Sequence, residues 1–119
     1  TNPDIDGKWR ASEYLSSGSP AEIKQTVYLN LKEKDYSFLL DDKIAEAGIV
    51  FYYPLVTPNV MVLICKSEGA NKNTVTRGIY KIMQDDSLQI CLAKPEAPVP
   101  TEFASDSTNG YSLISLVKV

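Results

Sequence analysis

The sequence predicts an all-β fold, an antiparallel up-and-down barrel of about eight strands. Three observations predict it. Thr74 to Ala93 carries two runs of alternating apolar residues around a polar turn, the pattern of a β-hairpin. Short strand-like runs recur at roughly 8–12-residue spacing through the rest of the chain. Most connections are short enough for a meander, and closing a meander into a barrel removes its exposed edges. Residues 1–119 read as one domain, with no repeat or low-complexity tract.

The hairpin specifies its own geometry. Gly78, Tyr80 and Ile82 alternate on its first strand, and Leu88, Ile90 and Leu92 on its second. A three-residue loop at Asp85-Asp86-Ser87 brings the two sets onto one face. Ile79, Lys81 and Met83 then share the other face with Gln89 and Cys91.

Ahead of it, Gly7-Lys8-Trp9 opens a strand to about Leu15, with Trp9, Ala11, Glu13 and Leu15 on one face. Ser16 to Pro20 breaks it with turn residues. Within Lys24–Glu33, Val27, Leu29 and Leu31 alternate with Tyr28, Asn30 and Lys32, and Tyr36, Phe38 and Leu40 repeat the pattern after a turn. Lys43 to Tyr53 is ambiguous: KIAEAG suits a helical turn by propensity, but the IVFYY tail favours a strand. Pro54 and Pro58 confine the next stretch to a loop. Val60 to Cys65 is apolar on both faces, so a loop or a partner must cover its outside. Lys94 to Gly110 is a long link with three prolines, in which Thr101 to Ser105 reads as one short helical turn. Tyr111 to Val119 closes the chain as a strand.

Composition narrows the function. The chain is 44% apolar with a formal net charge of −3, and its basic residues form no stripe. Nucleic acid and anionic membrane are therefore poor partners, and no apolar run reaches the roughly 20 residues of a membrane span. The chain starts at Thr1 without Met, which leaves a trimmed signal peptide or a cloning boundary open; an exported location, periplasmic or secreted, is the expectation. Histidine is absent. That removes Ser-His-Asp and Cys-His chemistry and His metal ligands, and two cysteines alone do not close a tetrahedral zinc site. Asp41-Asp42 and Asp85-Asp86 lack the alternate acidic ligands of a calcium loop and read as turns. No cofactor, metal or catalysis is expected.

Gly78-Ile79-Tyr80, Asp86-Ser87-Leu88, Ile90-Cys91-Leu92 and Pro100-Thr101-Glu102-Phe103 carry a resemblance. Gly7, Trp9, Glu13 and Gly18 extend it to the start, and Leu113, Leu116 and Lys118 to the end. The chain resembles a family of small lipocalin-like bacterial proteins, abundant in planctomycetes and uncharacterised in function. It departs where Val99 replaces the basic residue before Pro-Thr-Glu-Phe and where Val119 follows Lys118. The resemblance implies an eight-stranded lipocalin-like barrel and no particular substrate. It also implies that Trp9 plugs one barrel end, with Lys118, or alternatively Arg77, lying across the indole as a cation–π lid.

Two binding readings follow. In the first, a small apolar or amphipathic molecule sits inside the barrel. Glu13 and Tyr80 supply polar contacts, and Leu29, Phe38, Ile82 and Ile90 supply walls. For Glu13 a structural pair with Arg77 or Lys81, or a rim position, is the favoured reading over a ligand anchor, and Glu102 reads as a turn cap or mouth closure. In the second, a filled barrel binds a protein, as an enzyme inhibitor or immunity protein would, through mouth loops at Ser16–Ala21, Tyr53–Asn59 and Glu96–Gly110. At 119 residues the barrel is small enough for side chains to fill.

Overall fold

The computed structural model describes residues 5–16, 18–20, 26–70, 72–83, 85–106 and 108–119. Its strands are β1 (Gly7–Ser16), β2 (Ser19–Pro20), β3 (Val27–Lys32), β4 (Asp35–Leu40), β5 (Lys43–Tyr53), β6 (Asn59–Cys65), β7 (Val75–Ile82), β8 (Ser87–Leu92) and β9 (Ser112–Lys118). Each pairs antiparallel with its neighbour in the order β2-β1-β3-β4-β5-β6-β7-β8-β9, and β1 also pairs with β9. Eight strands thus close an up-and-down, lipocalin-like barrel, with the two-residue β2 attached to the end of β1. Closure gives each of the eight barrel strands a partner on both sides, the outcome that short, apolar-rich strands demand.

The β7–β8 hairpin pairs Gly78 with Leu92, Tyr80 with Ile90 and Ile82 with Leu88 on one face, and Ile79 with Cys91 and Lys81 with Gln89 on the other. The faces are those that the alternation predicts. The turn sits one residue earlier than expected, closed by the Met83 amide donating to the Ser87 carbonyl at 2.8 Å. Asp86 takes the left-handed conformation at φ 58°, which a short polar side chain tolerates. Lys43–Tyr53 is strand throughout, because the IVFYY tail and ladders on both sides outweigh the helical propensity of KIAEAG.

Two expectations fail. Thr101 to Ser105 forms no helical turn, and no helix occurs among the described residues. This stretch belongs to a strap, residues 94–110, laid over the outer face of β7 and β8. Its bonds go to the barrel instead: Glu96 bonds Val75 in both directions, Arg77 donates to the Ala97 carbonyl, and the Cys91 thiol donates to the Ala104 carbonyl. Ile79 and Cys91 point outward, yet the strap buries both completely. The second failure is on β1. Its register against β9 shifts between Ala11 and Glu13, so Ser12 is the extra residue of a β-bulge. The side-chain period flips there. Tyr14, opposite the buried Ile114, faces inward, and Glu13, opposite Ser115, faces solvent.

The inner faces pack into one cluster. Trp9, Leu29, Leu31, Tyr36, Val50, Met61, Leu63, Tyr80, Leu88, Ile90, Leu92, Ile114 and Leu116 are buried in mutual contact, with Ile5 beneath them. The registers set two ends. The start of β1, the β3–β4 turn, the β5–β6 loop, the β7–β8 turn and the end of β9 gather at the Trp9 end. The strap's root, β2 and the β6–β7 loop gather at the other.

The two cysteines are free and buried. Cys65 continues the inward set of β6, whereas Cys91 lies opposite Ile79 on the outer face. Two strand steps and five residues of offset put them nearly ~20 Å apart, far beyond the roughly 7 Å that a disulfide spans. Burial holds the Cys91 thiol above its ordinary range. Thiol titration after denaturation without reductant is expected to count two per chain; a count of zero would contradict this strand order.

Candidate functional site

At the Trp9 end, Gly-x-Trp has a mechanical explanation. Trp9 is 2% exposed, and its indole nitrogen donates to the Ile5 carbonyl at 2.9 Å, which draws Ile5 under the barrel as a floor. Lys118 pairs with Trp9 across the β1–β9 ladder, and its Nζ lies 5.1 Å from the ring while donating to the Asp6 carbonyl at 2.9 Å. Gly7 makes room for this lid. At φ 142° it has a conformation that L side chains rarely adopt, and a Cβ there would stand 2.8 Å from Lys118 Cε. Arg77 lies instead under the strap.

The interior residues separate. Leu29, Tyr80 and Ile90 are buried in the core, and Phe38 packs against it half-buried. Ile82 keeps the inward parity of Tyr80 but sits beyond the start of β6, at the rim, where it is 41% exposed. It is therefore no interior wall. Glu13 is outside for the reason given, and Glu102 is exposed on the strap.

Among the described residues, Glu46 of β5 turns its carboxylate inward, opposite Phe38. A second register shift, between Phe38 and Leu39 of β4, makes Ala45 the extra residue on β5 and sends Ile44, beyond it, to the outside. Tyr36 Oη donates to it at 2.8 Å; burial first, then this contact, pushes the Tyr36 phenol far above its usual range. Counting by twos from Tyr52 through Val50 and Gly48 reaches Glu46, a signal that was present in the sequence. Deeper in, Tyr52 and Tyr80 meet edge to face with ring centroids 5.8 Å apart. Both hydroxyls are buried without a hydrogen-bond partner among the described residues.

No family model, curated protein or solved structure matches this chain. The geometry therefore stands alone.

A groove of about 570 Å³ lies outside the barrel rather than within it, lined by Asn30, Lys32, Ser37 and Ala47 on the outer face of β3 to β5 and by Lys66 just beyond β6. Among the described residues no three His, Cys, Asp or Glu side chains gather as a metal site, and no helix is long and apolar enough to cross a membrane.

The three loops expected at one mouth do not share one. Tyr53–Asn59 lies at the Trp9 end, whereas Glu96–Gly110 is rooted at the other. There Gly18 donates to Ser105 Oγ at 2.8 Å, although Ser17 and Ala21 of the first loop lie outside the described residues. The β5–β6 loop is the most apolar exposed feature. Leu55 is 98% exposed, Tyr53 50%, Val56 46% and Phe51 40%. Ile82 and Met83 extend alongside it, because Asn59 opposite Tyr80 leaves the end of β7 beside the loop. The Asn59 carboxamide, oriented to satisfy both its ends, donates to the Pro54 and Val56 carbonyls at 3.1 and 2.9 Å and fixes the loop's shape.

Proposed function

We propose that this chain is a non-catalytic protein-interaction module, a filled barrel that presents a fixed apolar surface to another protein chain. The single observation that carries this reading is Leu55, fully exposed at the tip of a pinned loop while the barrel's inward side chains pack against one another. A large apolar patch on a soluble domain marks an interaction surface more often than a random exposure. The resemblance to small lipocalin-like bacterial proteins is compatible with this role and names no substrate. Without histidine, and with each cysteine buried, acid–base and nucleophilic catalysis have no obvious machinery.

One observation favours the other reading, a small molecule held inside. Tyr52 and Tyr80 offer two partnerless hydroxyls to the interior, and a ligand oxygen between them would offset a cost of about 1–3 kcal/mol per buried group.

Native mass spectrometry of the purified protein, with Tyr80→Phe beside it, separates the two. The interaction-module reading expects the bare chain mass for both proteins. It also expects Tyr80→Phe to be as stable as the parent or up to ~1 kcal/mol more so, since an orphan hydroxyl is removed. A small molecule at one per chain that is lost in Tyr80→Phe would replace this reading with the interior one.

A further inference from the structure

We infer that the partner of the apolar hairpin face is a second copy of this chain, an assignment that rests on the interaction-module reading. From Ala47 to Cys65 there is no charged residue. This stretch forms most of β5, its loop and all of β6. Its outward side chains pair across the ladder as Ile49 with Ile64, Phe51 with Val62 and Tyr53 with Val60. The inward set is spent on the core, so the outward set is a second apolar face on the same two strands. The strap covers the corresponding face of β7 and β8. The face of β5 remains open at Phe51 and Tyr53 and runs on into Leu55 and Val56.

Size argues for self-association. At roughly 150–250 Å² per large side chain, the exposed fractions of Phe51, Tyr53, Leu55 and Val56 amount to about 350–590 Å². That matches the roughly 300–600 Å² of the largest patch on a typical monomer, a patch that is often functional. Two such faces together bury roughly 700–1,200 Å², below the standard size and at the end of the range where weak, transient contacts lie. Symmetry suits it as well: an isologous two-fold contact needs a face that complements itself, and an uncharged apolar face does.

Charge weighs against a lipid surface. Lys34 precedes Asp35 at the start of β4 on one flank, and on the other Lys81 near the end of β7 is followed in the β7–β8 turn by Asp85 and Asp86. An anionic bilayer gains no net attraction from such mixed flanks, and two copies meet no block of like charge. The pinned loop adds to the affinity, because little conformational entropy remains to be lost on contact.

Sedimentation velocity on the whole chain between ~1 and ~500 µM tests the inference. The parent protein is expected to pass from monomer to dimer with a midpoint in the tens of micromolar, about 6 kcal/mol of association. Leu55→Asp changes a side chain that is 98% exposed, so folding is untouched, and it should weaken the dimer at least ~10-fold. Ile44→Asp, 65% exposed at the far end of β5, should leave the dimer unchanged. Trp9 emission verifies the fold of each variant. A monomer throughout, or equal weakening by both variants, overturns the inference while leaving the filled-barrel reading in place. Monomer that pellets with phosphatidylcholine vesicles, and ceases to do so as Leu55→Asp, overturns it in favour of lipid. The interaction-module reading itself fails only in the separate mass measurement, through a ligand lost with the Tyr80 hydroxyl.

Discussion

Trp9→Ala is expected to destabilise the fold by about 3–5 kcal/mol, the loss typical of a large aromatic removed from a packed core. On a domain of this size that lowers the melting temperature by roughly 10–25 °C. The figure belongs at the upper end because the indole joins three parts of the barrel. Its face packs into the core, its nitrogen holds Ile5 beneath, and its ring seats the Lys118 ammonium. Alanine leaves the Ile5 carbonyl without its donor and the floor without its anchor. Thermal and urea unfolding, followed by far-ultraviolet circular dichroism, measure the loss; a change under ~1 kcal/mol would mean that the plug is dispensable. Trp9 is also the chain's only tryptophan, so native emission should be blue and poorly quenched by iodide.

Gly48→Ala, one added methyl group, is expected to cost about 2–3 kcal/mol or more by overpacking. Gly48 lies opposite both Tyr36 and Cys65. A Cβ there collides with the backbone carbonyl of Ile64 and approaches Tyr36 Cε1 to 2.9 Å. The first obstacle is backbone, held by the β5–β6 ladder, and cannot rotate away. The second is the ring whose hydroxyl bonds Glu46, so relief by moving Tyr36 would break that contact. Equilibrium denaturation of Gly48→Ala beside Ala47→Ser, a change on the outer face, isolates the effect. Equal stability of the two variants would show that β5 can move aside.

The alternation of Gly78, Tyr80 and Ile82 against Leu88, Ile90 and Leu92 was readable because period two is a local property. A turn displaced by one residue left the faces unchanged. The apolar outside of Val60–Cys65 was readable in the same way, as a face in need of cover. Glu13 turned outward for a reason invisible to alternation. The bulge at Ser12 inserts one residue, and one residue inverts every face beyond it. The bulge at Ala45 does the same to Ile44, whereas Glu46 keeps the parity of Gly48, Val50 and Tyr52. Neither bulge position carries a glycine or proline to announce it. Closure of the barrel decides where they fall.

Local pattern, then, determined the all-β class, the number and order of the strands and the core hairpin, since each follows from residues near in sequence, while the plug at Trp9 was implied by the resemblance. Tertiary structure alone decided that Glu13 faces outward, that the strap buries Ile79 and Cys91 from outside, and that the candidate loops lie at opposite ends. These depend on strand length and ladder register, set by contacts between residues far apart in the chain. The exposed tip at Leu55 belongs to both levels. Its apolar character is in the sequence, but only the closed barrel, whose inward side chains pack on one another, leaves it facing outward.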